Sequence, residues 1–113
     1  MRIDSRKQND VTILTPSGAL MAGLQTQSLA QHVKQLIAGG GAQQVLIQLS
    51  DVSMIDSAGV GELISSFTSV KKSGGVLKLC GANDRVGEVL RIVRLPTIIE
   101  VYETEGEALA SFT

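Results

Sequence analysis

Ser50-Asp51-Val52-Ser53-Met54-Ile55-Asp56-Ser57-Ala58-Gly59-Val60-Gly61 is the stretch around which the chain is organised. The apolar run Val45-Leu46-Ile47-Gln48-Leu49 leads into it, and an amphipathic pattern from about Ser57 to Lys72 leads out. A short, nearly all-apolar run is the composition of a strand covered on both faces. Val60, Leu63, Ile64, Phe67 and Val70 recur at helical spacing, with Glu62, Ser65, Ser66 and Ser69 on the outer face. A buried strand therefore feeds a loop, and the loop opens a helix at Asp56 and Ser57. A helix N-terminus has unpaired N–H groups and a partial positive charge, so it favours an anion. Ala58, Gly59 and Gly61 crowd the first turn. Glycine weakens a helix by about 1 kcal/mol relative to alanine. Two of them there imply close approach, either to the core or to a partner.

Outward from this stretch, strands and helices alternate. Residues 2–7 read as a weak strand, Gln8-Asn9-Asp10 as a turn and Val11-Thr12-Ile13-Leu14-Thr15 as a β-branched strand. Pro16-Ser17-Gly18 ends or bends that strand, and Gly18 to Leu24 forms a connecting loop. A helix is expected from about Gln25, with Leu29, Val33, Leu36 and Ile37 inward and Gly39-Gly40-Gly41 as its stop. The triple glycine is no phosphate loop, because it lacks the lysine-serine pair and no strand feeds it. Beyond Lys72, glycines precede a strand over Val76–Cys80, and a third helix presents Val86, Val89, Leu90 and Val93. Leu95-Pro96 breaks it, Ile98 to Val101 is a last short strand, and Thr104 with Glu107 forms a capping box for a terminal helix. The order β-β-α-β-α-β-α-β-α predicts an α/β fold in a single domain, 1–113. Its sheet has four or five mostly parallel strands and an antiparallel edge hairpin.

Composition narrows the function. The 113 residues include no Trp, one Tyr and two Phe, so the core is aliphatic and base-stacking surfaces are scarce. A net charge of −1 argues against a phosphate-backbone binder, so no direct nucleic-acid partner is expected. Cys80 is the sole cysteine and sits in a strand, which points to core packing and excludes a cysteine-based metal cluster. Neither a signal peptide nor a spanning apolar run is read, so a cytoplasmic protein without membrane insertion is expected. No motif calls for a cofactor or a metal.

Three chemistries compete at Ser57. As a nucleophile it needs a base within reach. The only histidine is His32, in the middle of the first helix, and the Gly-x-Ser-x-Gly elbow is absent. The chain is therefore read as a non-enzyme. As a helix cap, Ser57 competes with Asp56, and a cap at Asp56 leaves the Ser57 hydroxyl free. As a phosphorylation site, Ser57 would gain roughly −1.5 to −2 charges. That charge is tolerable at a helix start and disruptive to any partner buried against it.

The run Leu49 to Gly61, with its Asp56-Ser57-x-Gly59-apolar-Gly61 core, resembles the signature of the STAS domain family. It looks most like that of the bacterial anti-sigma factor antagonists. Lys72-Ser73-Gly74-Gly75-Val76-Leu77 and Arg94-Leu95-Pro96-Thr97-Ile98-Ile99 also fit the family's layout. The resemblance implies about four helices packed mainly on one face of the sheet. It implies an unmodified antagonist that binds a kinase-type anti-sigma factor, which then lets go of its sigma factor. The kinase phosphorylates the motif serine, here Ser57, and a serine phosphatase resets it. The implied partner surface comprises Met54, Asp56, Ser57, Ala58, Gly59, Val60 and Gly61, continuing through Glu62, Ser65 and Ser66. Met21 joins it by position. Many family members have an aspartate there, and methionine instead offers apolar contact. The departure keeps a second reading open, an accessory STAS subunit of a lipid-transport ATPase complex. A third is a scaffold subunit of a signalling assembly. A homodimer is left open by the sequence: an edge strand near residues 2–7 could pair with another chain, but such edges are usually protected.

Overall fold

The computed structural model describes residues 2–22, 28–40 and 43–112. Asn9 and Asp10 both adopt left-handed backbone, at φ 54° and 66°, as a two-residue hairpin requires. They join β1 (Arg2–Gln8) to β2 (Val11–Leu20) in antiparallel register, from Gln8 opposite Val11 to Arg2 opposite Ser17. Residues 2–7 are thus a full strand, held by pairing rather than burial, since only Ile3 is even half-buried.

The remaining elements are α1 (Leu29–Ala38), β3 (Gln44–Gln48), β4 (Val52–Ile55), α2 (Ser57–Lys72) and β5 (Val76–Cys80). After them come α3 (Asp84–Ile92), a 3-10 turn at Leu95–Thr97, β6 (Val101–Tyr102) and α4 (Glu105–Ala110). The sheet order is β1-β2-β3-β5-β6, and every pairing except the first hairpin is parallel. The described residues hold six strands, because β4 pairs with the far end of β2.

Three expectations need adjustment. Pro16-Ser17-Gly18 bends β2 rather than ending it, so the strand runs on to Leu20 through the start of the expected loop. The strand changes partner there, from β3 beside Thr12–Leu14 to β4 beside Gly18–Leu20, with a register shift at Gly18/Ala19. Gly18 makes this bend at φ +100°, a conformation suited to glycine. Second, part of the motif loop is strand β4, in which Val52 and Ile55 are buried and Ser53 and Met54 exposed, a four-residue pattern with no period to read from sequence. Third, the final strand falls at Val101–Tyr102 rather than Ile98 to Val101. The amides of Ile98 and Ile99 both donate to the Leu95 carbonyl and close a turn instead. The described part of α1 begins at Leu29, capped by the Ser28 hydroxyl; Leu24, Gln25 and Gly41 lie outside the described residues.

Side chains alternate across the sheet. Leu14, Val45, Ile47, Leu77 and Leu79 face one way and pack with Leu29 and Val33 of α1, Leu63 and Val70 of α2, and Val86 and Leu90 of α3. Ile13, Leu46 and Cys80 face the other way, against Ala108 of α4 and its neighbours Leu109 and Phe112. Three helices thus cover one face and α4 the other. Lys78 falls by alternation on the α4 side, where it is buried. Its ammonium donates to the Ser111 carbonyl (3.0 Å) and hydroxyl (2.9 Å) and lies 4.8 Å from the Phe112 ring centre.

Candidate functional site

β4 ends at Ile55 and delivers Asp56 to the start of α2 in extended backbone, φ −116° and ψ −173°. Its carboxylate caps the helix: Oδ1 accepts from the Gly59 amide at 2.9 Å. Oδ2 accepts from the Ala22 amide at 3.3 Å, and the Asp56 amide donates to the Leu20 carbonyl at 3.4 Å. One aspartate therefore ties the end of β2 to the first turn of α2. The Gly59 amide holds the Asp56 carboxyl below its ordinary range; partial desolvation opposes this and the Ala22 amide assists.

Gly59 and Gly61 answer different needs. A Cβ on Gly59 would lie 2.0 Å from the Leu20 carbonyl oxygen and 2.7 Å from Ile55 Cγ1, so the core requires this glycine. A Cβ on Gly61 would meet open space. Close approach to the core therefore explains one glycine and leaves the other on the exposed side of the turn.

Ser57 is the first residue of α2, exposed, and its hydroxyl has no hydrogen bond among the described residues. Around it, Met54 is 42% exposed, Ala58 and Gly61 are exposed, and Met21 and Ser65 are half-buried. Met21 stands between Leu20 and Ala22, both of which bond Asp56, so the fold brings it to the helix start. The other expected surface residues turn elsewhere. Gly59 and Val60 are buried. Ser66 is fully buried rather than on the outer face, with its hydroxyl donating to the Glu62 carbonyl at 2.8 Å. The buried stripe of α2 runs through Gly59, Leu63, Ser66 and Val70, while Ile64 and Phe67 are only half-buried. Glu62 is not free either: its Oε1 accepts from the Ala30 amide at 3.0 Å and so satisfies the first turn of α1.

Sequence reasoning passed over the backbone of Leu20 and Ala22, and no local signal marks main-chain groups brought in from another strand. It also passed over Asn83, whose Oδ1 caps α3 at Val86 N (2.8 Å) while its Nδ2 donates to the Val52 carbonyl (3.0 Å). The Asn before Asp84 signals the cap but not the bridge to β4. His32 is half-buried on α1 and makes no hydrogen bond to Ser57. Cys80 is buried, and burial, with Glu105 adding, pushes its thiol up to about 12. It is inert packing rather than a reactive thiol. Among the described residues no cluster of three or more His, Cys, Asp or Glu side chains is placed to hold a metal. No helix there is long and apolar enough to cross a membrane.

A family model described as the STAS domain matches residues 2–108. A Thermotoga maritima protein, provisionally named an anti-sigma factor antagonist, is 31% identical over 102 residues, covering 89% of this chain and 88% of the relative. A Thermotoga neapolitana protein, provisionally named in the same way, is 41% identical over 69 residues; the match spans 61% of each chain, about three fifths of that relative's length. A crystal structure of an anti-sigma factor antagonist from Thermotoga maritima, also so named provisionally, superposes with a TM-score of 0.80 at 28% identity. It covers 96% of this chain and 92% of that one.

Proposed function

The chain belongs to the STAS domain family, and on that premise we propose that it is an anti-sigma factor antagonist, switched at Ser57. Unmodified, it binds an anti-sigma factor that has serine-kinase activity, and that factor releases its sigma factor. Residues 1–113 act as one domain, in the cytoplasm, as a regulatory binding protein rather than an enzyme.

The observation that carries this reading is the division of labour at the start of α2. Asp56 does the capping, so the exposed Ser57 hydroxyl is left without a structural task. The kinase moves the γ-phosphoryl group of ATP to Ser57 Oγ; the hydroxyl proton leaves and ADP is released. The new group brings roughly −1.5 to −2 charges. The amide dipoles of α2 favour it, the neighbouring Asp56 carboxylate opposes it, and solvent screens both. The fold has no reason to change. A partner pressed against Met21, Met54, Ser57, Ala58, Gly61 and Ser65 meets a hydrated dianion where it had a small hydroxyl. That desolvation penalty ends the complex, and a serine phosphatase restores it.

The test is capture from the native host with wild-type and Ser57→Asp baits, partners being identified by mass spectrometry. Recovery of a kinase-like anti-sigma factor by wild type alone supports the switch. Equal recovery of a transporter ATPase by both baits would replace it with the accessory-subunit reading that Met21 keeps open.

A further inference from the structure

β1 is the outermost strand of the sheet, and its seven residues, Arg2-Ile3-Asp4-Ser5-Arg6-Lys7-Gln8, pair on one side only, with β2. The two-residue turn makes Gln8 and Val11 a hydrogen-bonded pair, and the alternation of an antiparallel ladder then turns the backbone groups of Arg6, Asp4 and Arg2 toward β2. Those of Ile3, Ser5 and Lys7 point outward along the free edge. These three are spaced symmetrically about Ser5.

The side chains share that symmetry. Arg6 lies on the α4 side, where its guanidinium contacts Glu105, and Asp4 and Arg2, two and four residues away, fall on the same side. Ile3 packs with the cluster on the opposite face. If a second copy lies antiparallel with Ser5 opposite Ser5, Asp4 of each copy faces Arg6 of the other, in the closer, non-hydrogen-bonded kind of pair. Ile3 faces the aliphatic stem of Lys7. The neighbouring registers that keep the outward groups paired are repulsive. One sets Arg6 against Arg6; the other sets Asp4 against Asp4 and Arg2 against Arg6. Charges on an edge strand ordinarily discourage pairing. Here they discourage the wrong registers and complement one.

We propose that two copies of this chain associate through β1, antiparallel about a two-fold axis at Ser5, to join their sheets edge to edge. Such an interface closes on itself, so it makes a dimer and not a filament. It uses neither Ser57 nor the residues around it, and it stands or falls apart from the proposed switch.

Sedimentation equilibrium over a concentration series tests it, with the full chain as wild type, Asp4→Arg, Arg6→Asp, the double exchange Asp4→Arg/Arg6→Asp, and Ser5→Pro. Circular dichroism confirms folding of each. Wild type should dimerise. Either single reversal should weaken the dimer by about tenfold or more, because both symmetry-related ion pairs become repulsions. The double exchange should restore it, since Arg at 4 then faces Asp at 6. Ser5→Pro should weaken it too, because that amide faces away from β2 and the hairpin keeps its own bonds. A monomeric wild type across the micromolar range would overturn the proposal. So would a dimer indifferent to the single reversals or one not rescued by the exchange.

Discussion

At Gly59 one methyl group is too many, and two residues on, at Gly61, it is welcome. The first would drive a Cβ into the Leu20 carbonyl; the second would occupy solvent. Gly59→Ala should therefore lower stability by about 2–3 kcal/mol through overpacking. Gly61→Ala should raise it by about 0.5–1 kcal/mol through helix propensity. Urea unfolding of the two variants checks both signs. Asp56 adds a pH dependence. Its carboxyl is held low by the Gly59 amide, so its contribution to stability is fully present above the unfolded value of about 3.9 and is lost as pH falls through the lower folded value. Asp56→Asn keeps a capping oxygen without the titration. The stability advantage of wild type over that variant should hold from about pH 7 to pH 5 and shrink toward pH 3, read from denaturation midpoints. The structure has Asp56 supply the cap of α2; a cap at Asp56 or Ser57 is legible in the sequence because capping is a local matter of three residues. Ser66 is not: its burial depends on how far α2 is rotated about its axis, and that is decided by what packs against it.

At the scale of elements, Lys78 adds a polar link between β5 and the far-face helix to the packing of Cys80 on Ala108. Its buried ammonium bonds both the carbonyl and the hydroxyl of Ser111, just after α4. Lys78→Met keeps the aliphatic stem and removes those bonds. The expected loss is about 2 kcal/mol, as for hydrogen bonds to a charged group. Amide hydrogen exchange should quicken selectively over residues 105–112, while α2 keeps its protection. α2 itself, from Ser57 to Lys72, is legible at both ends, since Asp56 precedes it and Lys71, Lys72 and Gly74 close it. β4 is not legible, because a four-residue strand that pairs only with the tail of β2 shows no period of its own. The Ile98-Ile99 pair reads as strand by composition, yet the backbone spends it on a turn that buries Ile99 and exposes Ile98. The extent of β1 is legible to within one residue, but its regularity is not, since its order comes from pairing with β2.

For the whole molecule, the alternation of strands and helices and the antiparallel edge hairpin are legible because each apolar run is short and bounded by glycine, proline or a cap. The assignment of α4 to the opposite face is not, because nothing in its six residues says which side of the sheet it covers. Of the residues proposed for the partner surface, Glu62 and Ser66 make bonds within the fold, which the helical pattern alone does not show. A switch at Ser57 acts on binding without acting on the fold. Ser57→Asp should change unfolding stability by less than about 1 kcal/mol, the scale of a charge at a helix start. It should weaken the captured anti-sigma factor by about tenfold or more in titration calorimetry, a penalty of at least about 1.4 kcal/mol.

The most direct measurement incubates the chain with that anti-sigma factor and magnesium-ATP, then follows phosphate by peptide mass mapping and the complex by size-exclusion chromatography. A single phosphoryl group on Ser57 and dissociation in step with its appearance are expected. A complex that persists on a chain fully phosphorylated at Ser57, or phosphate that accumulates at another serine while Ser57 stays free, would contradict the switch.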